Sequence, residues 1–342
     1  MGMLLLFCAA LSAVVSLTVA TLIWKAGVLD MPGHRSLHDN PTPRGGAIGI
    51  LAGAGAACVL LAFLPVPQGS ALALLALVAA MAALGAADDV FGLAAKVKFA
   101  IMAATALVLG WFIGVPAFLA VTATLYIALP VWLGLAGAAL FLFVVINAVN
   151  FMDGSDGMLA AGLIPGGAGL AVAGLATGHL DASFAGAALA GGLCGFLVLN
   201  RPPARVFAGD GGSLSAGALY AGGALAMAGS GFSGALWLAP LFVLPFLADV
   251  LLTMARRAAG GRLDLEAHRE HLYQRLIAGG WSHSRVAWAY AGASAVCVLA
   301  GLLALQGPPG ATVLIFAGMV AVLSGLYALG GRYAARMAAE TQ

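Results

Sequence analysis

Charge is what this chain lacks. Its 342 residues hold 15 Lys and Arg and 13 Asp and Glu, or 8%, against roughly 25% in an ordinary soluble domain. That scarcity excludes a nucleic-acid partner, which needs a dense basic patch. It also excludes a soluble globular fold, because 63% of the residues are hydrophobic and mean hydropathy is +1.05, more apolar surface than such a fold buries. Cysteine is sparse too. Cys8, Cys58, Cys194 and Cys297 each stand alone inside an apolar run without CxxC spacing, so they read as small hydrophobes and not as disulfide or metal ligands. The first run, 3–23, has no basic residue before it, exceeds a signal-peptide core and is not followed by a cleavage site with polar sequence beyond it. It reads as a retained first span.

What is there in quantity is bilayer-length apolar sequence. Runs of about 17 to 25 residues fall near 3–24, 46–64, 70–87, 98–114, 131–149, 158–176, 182–199, 213–229, 234–255, 286–305 and 311–330. They predict an all-α, polytopic membrane protein of about 11 transmembrane helices, with residues 1–342 as a single domain. Threading the chain through them alternately puts all 15 Lys and Arg on one side, which the positive-inside rule makes cytoplasmic. Segment 115–130 is apolar enough to cross, but a crossing there would divide the basic residues five to ten. It is therefore expected as a non-spanning excursion on the far side.

The few polar side chains cluster on the basic side. Asp88 and Asp89 end the third run, where the helix dipole disfavours an anion by roughly 0.3 to 1 kcal/mol. A divalent cation, or the nearby Lys96 and Lys98, would compensate; the plainer reading is a solvated pair held by those lysines. Asn147, Asn150, Asp153 and Asp156 follow the same pattern after the fifth run, with Gly154 and Gly157 allowing a tight turn. Asp156 alone reads equally as the cap of the next helix. Phe207 to Ser213 contains Asp210 in a glycine-rich stretch opening the eighth helix, suited to phosphate, although Asp210 also reads as a cap. Loop 256–285 carries six of the basic residues and the sequence His268-Arg269-Glu270-His271. Two histidines one turn apart serve one ligand, or an amphipathic helix uses Leu272, Tyr273, Leu276 and Ile277 to touch lipid. HxxH is not the zinc-protease spacing, and an aspartate-rich face suits magnesium better than zinc. The first loop, 30–46, is rich in Pro and Gly and supplies His34, Arg35, His38 and Arg44.

Taken in order, segments 30–46, 88–98, 147–157, 207–213 and 268–276 resemble the polyprenyl-phosphate N-acetylhexosamine-1-phosphate transferase family, which includes the phospho-MurNAc-pentapeptide transferases. The resemblance implies transfer of a sugar 1-phosphate from a UDP-N-acetylhexosamine to undecaprenyl phosphate, with release of UMP and use of magnesium, manganese being a substitute. It implies Asp88, Asp89, His268 and His271 as catalytic residues. Asp210, Asp153 and Asp156 would be metal ligands, and Asn147, Asn150, Phe207, Lys98 and Arg269 would bind nucleotide and diphosphate. Arg44 and Lys96 would meet the lipid phosphate. It further implies a bacterial inner membrane location with the site facing the cytoplasm, and leaves room for a homodimer. The peptidoglycan branch has three consecutive histidines where this chain has His-Arg-Glu-His, and the first loop reads Pro-Thr-Pro-Arg-Gly-Gly. Both features resemble the branch that initiates O-antigen and other surface glycans.

Two other classes compete. A CDP-alcohol phosphotransferase begins with a motif close to 153–161, but needs Arg where Ala161 stands and two further aspartates before Thr177. A secondary transporter places coupling charges at mid-membrane, where only Asp249, near Pro245, falls.

Overall fold

The computed structural model describes residues 1–27, 29–30, 42–43, 45, 47–63, 68–121, 125–231, 234–262, 268–308 and 310–340. Helix dominates, as the composition requires, since a chain in lipid must satisfy its backbone internally. In chain order the helices are α1 (Gly2–Ala26), α2 (Ala47–Ala62), α3 (Gln68–Phe91), α4 (Ala95–Ile113), α5 (Val131–Met152), α6 (Met158–Thr177), α7 (Leu180–Asn200), α8 (Gly209–Gly229), α9 (Ala235–Leu241), α10 (Leu244–Ala259), α11 (Leu272–Ala278), α12 (His283–Leu305) and α13 (Ala311–Glu340).

Every apolar run contains helix, but the count of about eleven spans needs correction. Among the described residues eight helices are long and apolar enough to cross a bilayer, or nine if α9 and α10 count as one span. Runs 46–64 and 213–229 became α2, of 16 residues, and α8, neither of which meets the length and hydropathy of a span. Run 234–255 is not one helix: α9 and α10 meet at a bend of 76°, after Pro240 and before Pro245, residues that each remove a backbone donor. Among its described residues segment 115–130 forms no helix. It folds into an antiparallel hairpin, β3 (Phe118–Ala120) with β4 (Tyr126–Ala128), in keeping with a non-spanning excursion. At the other end β1 (Leu29–Asp30) pairs with β2 (Thr42–Pro43), closing the first loop at its base.

α8 is the hub. Nearly all its residues are buried, and it packs against α3, α5 and α7 through small side chains that let helix axes approach closely, the usual solution where lipid gives no hydrophobic drive between helices. The approach is tightest at the N-terminus of α8, where a Cβ on Gly85 of α3 would lie 2.3 Å from the Asp210 carbonyl carbon. Only glycine at 85 lets the two helices touch there. The end of the bundle far from this contact is tied by Ser70 to Asp181, by Ser230 to His179 and by Trp237 Nε1 to the Ala120 carbonyl at 2.7 Å.

Candidate active site

The C-terminus of α3, the N-terminus of α4, the C-terminus of α5 and the N-terminus of α8 meet at one end of the bundle. Lys98 Nζ lies 2.6 Å from Asp88 Oδ2 and 2.8 Å from Asp210 Oδ2. One ammonium thus holds two carboxylates from different helices and offsets the unfavourable dipole at the end of α3. Asp88 is further fixed by the Leu93 backbone N–H, which donates to Oδ1 at 2.8 Å. Asn150 hydrogen-bonds Asp210 and donates to Ser213 Oγ at 2.9 Å.

Asp89 does something different from its neighbour. Its carboxylate accepts from the backbone N–H groups of Asp210, at 3.1 Å, and Gly211, at 3.3 Å. It therefore caps α8 from outside, taking two of the orphan donors of a helix start. Neither the Asp210 nor the Asp156 side chain caps its own helix, so the capping readings of those two residues are corrected. Asp156 instead accepts from the Ala204 N–H at 2.9 Å, while His283 Nδ1 is 3.0 Å from Ser155 Oγ and accepts from the Asp156 N–H at 3.3 Å. That arrangement locks the turn that carries Asp153.

The last loop closes the site from above α5. Tyr273 donates its hydroxyl to the Phe151 carbonyl at 3.1 Å, and the His271 ring stacks on Phe151 with centroids 6.1 Å apart and meets the His268 ring at a tilt, 4.9 Å away. The close fit needs a glycine: a Cβ on Gly154 would sit 2.1 Å from the Tyr273 hydroxyl. Burial, reinforced by the charges of Asp249 and Asp153, pushes the Tyr273 hydroxyl far above its usual range, so it stays a donor. Tyr273 and Leu276 are buried in the protein, which corrects the expectation of lipid contact for these two, while Leu272 and Ile277 stay partly exposed. Glu270 gathers Arg256, at 3.0 Å, Arg257, and Arg262, at 3.3 Å, anchoring the loop to the end of α10.

Other expected residues lie at the margins. Asn147 is buried and donates to its own helix at Phe143, with its carbonyl oxygen unpartnered among the described residues. Phe207 is half-buried, and its carbonyl accepts from the Gly45 N–H at 3.2 Å, which brings the base of the first loop to the site. Lys96 and Arg269 are exposed. Arg44 lies outside the described residues. Sequence reasoning missed Glu270 and Tyr273 as organising residues; the signal for Glu270 was an acid beside Arg269 in an arginine-rich loop.

Among the described residues no three His, Cys, Asp or Glu side chains converge as a ready-made metal cage. Magnesium does not require one, because it takes one or two carboxylates together with phosphate oxygens and water. Asp210 and Asp88, with the Asn150 amide beside them, form such an oxygen-only set, and the donor chemistry fits that ion.

The profile of glycosyl transferase family 4 matches residues 71–228, a stretch that contains Asp88, Asp89, Lys98, Asn150, Asp153 and Asp210. Decaprenyl-phosphate N-acetylglucosaminephosphotransferase of Mycobacterium tuberculosis (strain CDC 1551 / Oshkosh) is 32% identical over 300 residues, covering 78% of this chain and 73% of the relative. The Mycobacterium leprae (strain TN) protein of the same name is 31% identical over 291 residues, covering 75% and 71%. Phospho-N-acetylmuramoyl-pentapeptide-transferase of Moorella thermoacetica is 39% identical over 171 residues, about half of each chain (49% and 51%). With the acidic end of its helix bundle built from the matched stretch, this multi-pass membrane protein belongs to glycosyl transferase family 4.

Proposed function

We propose that the protein transfers an N-acetylhexosamine 1-phosphate from a UDP-sugar to undecaprenyl phosphate, releasing UMP and forming a polyprenyl-diphosphate-linked sugar that initiates a surface glycan. The observation that carries this reading is the Asp88–Lys98–Asp210 cluster at the end of the bundle, where a lipid head group and a soluble nucleotide can meet. N-acetylglucosamine is the sugar to expect first, since relatives that match over three quarters of the chain are named for it. Arg256, Arg257 and Lys98, basic residues gathered at this end, support a cytoplasmic placement for it.

In the reaction an oxygen of the lipid phosphate attacks the sugar-linked phosphorus in line, a new P–O bond forms, and the bond to UMP breaks. A phosphate monoester has a second pKa of about 6, so the attacking oxygen is already ionised near neutral pH and no strong base is required. Lys98 would stabilise negative charge as it shifts to the leaving phosphate. Asn150, itself anchored on Ser213, holds the Asp210 carboxylate in place, and Asp89 fixes the α8 backbone beneath it. His271 and Arg269, on the last loop, would face the diphosphate. A magnesium ion at Asp210 and Asp88 would supply neutralisation of the diphosphate when bound.

Mass analysis of the lipid product tests this. Purified protein, undecaprenyl phosphate and magnesium chloride are incubated with the UDP-linked forms of GlcNAc, GalNAc, FucNAc and QuiNAc. A lipid gaining an N-acetylhexosamine phosphate from one donor supports the reading, and no modified lipid from any donor contradicts it.

A further inference from the structure

One buried carboxylate has no part in the transfer just described. Asp249 of α10 is 2% exposed, and among the described residues it makes no ion pair with Lys or Arg. Its oxygens instead collect donors from two other elements and from its own helix. The Leu272 and Tyr273 N–H groups donate at 2.7 and 3.1 Å, the Tyr290 hydroxyl at 2.5 Å and the Thr253 hydroxyl at 3.2 Å. Thr253 in turn meets Tyr327 of α13 at 2.9 Å. The fifth neighbour is His271, whose Nδ1 is 3.5 Å from Asp249 Oδ1.

Burying a carboxylate is costly, and apolar packing would join the same helices at lower cost. The position of this carboxylate is therefore informative. It lies under the first turn of α11, and it grips the two residues that directly follow that histidine. Main chain and ring are thereby fixed together, the ring stacked on Phe151 and on Tyr273.

We propose that Asp249 is a positioning residue, holding His271 and the first turn of α11 against the end of α5 so that the imidazole faces the reacting diphosphate. This rests on the functional reading above for its catalytic consequence, but the positioning is measurable without turnover. The ring stack and the hydrogen bonds to Leu272 and Tyr273 predict that His271, 3% exposed, is shielded only while the carboxylate is in place.

The test uses full-length protein in detergent, unaltered and as Asp249→Ala and Asp249→Asn; the second keeps the side-chain shape and one acceptor oxygen and guards against a variant that does not fold. Diethyl pyrocarbonate modification of His271 is read by peptide mass analysis, with the half-buried His268 as internal reference. Steady-state UMP release is measured alongside. Labelling of His271 should rise several-fold in both variants. The kcat should fall about tenfold to a hundredfold with KM for the UDP-sugar nearly unchanged, the pattern of a lost positioning group. Unchanged labelling overturns the proposal, as does raised labelling with an unchanged kcat. If the unaltered protein releases no UMP with any donor, the functional reading fails while the labelling still decides the positioning.

Discussion

Lys98 and Asp210 stand 112 residues apart in sequence and meet at 2.8 Å, the ammonium at the start of α4 and the carboxylate at the start of α8. The same ammonium also holds Asp88. Replacing it by an uncharged side chain of similar length leaves two carboxylates facing one another with nothing to balance them. Lys98→Met is expected to lower kcat for UMP release by about a hundredfold or more, the loss seen when a charge-stabilising donor is removed. Unaltered kcat in a folded variant would take Lys98 out of the reaction.

Asp88 and Asp89 separate by a stability measurement. Asp89 caps α8 through two backbone N–H groups, so Asp89→Ala should destabilise the protein by about 1 kcal/mol, seen as a lower melting temperature in detergent. Asp88→Asn should leave melting nearly unchanged and reduce the rate instead. Equal melting losses would show that the two carboxylates share one role.

Adjacent aspartates illustrate what sequence does and does not carry. The pair was visible as a pair, but neighbouring residues on a helix point about 100° apart, and which one reaches Lys98 depends on how α3 packs on α8. The apolar runs located every helix but α11 because hydropathy is a local property, whereas the break between α9 and α10 at 76° follows from packing around Pro240 and Pro245. The apolar face of α11 was legible as apolar, but lipid and protein interior demand the same residues, so its burial was not. Asp249 stood out as a charge in an apolar run. Its partners come from α11, α12 and its own helix, and no spacing in the sequence joins them.

The contact between the last loop and α5 depends on residue 154. In Gly154→Ala the new methyl would overlap the Tyr273 hydroxyl at 2.1 Å, pushing the loop from Phe151. Activity should fall sharply, and adding Tyr273→Phe, which removes the hydroxyl, should restore part of it. A double variant no better than the single one would show that the clash is not the cause.

A pH effect is expected at the opposite end. His179, in the turn between α6 and α7, is held below its usual 6.5 by burial, the Asp181 charge opposing this more weakly. Below 6.5 the unfolded chain binds this proton more readily than the folded one, so stability falls as pH drops from 6.5 towards the lower folded value and is unaffected above. Melting temperature followed through that window should decline less steeply in His179→Gln than in the unaltered protein. Identical slopes would remove His179 as the source.

UMP release by purified protein supplied with undecaprenyl phosphate, magnesium chloride and UDP-N-acetylglucosamine, with Asp210→Ala as the paired sample, tests the proposed transfer most directly. The predicted result is UMP formed only when lipid phosphate and magnesium are both present, and lost in Asp210→Ala. UMP release that ignores the lipid, or that persists in Asp210→Ala, would contradict it.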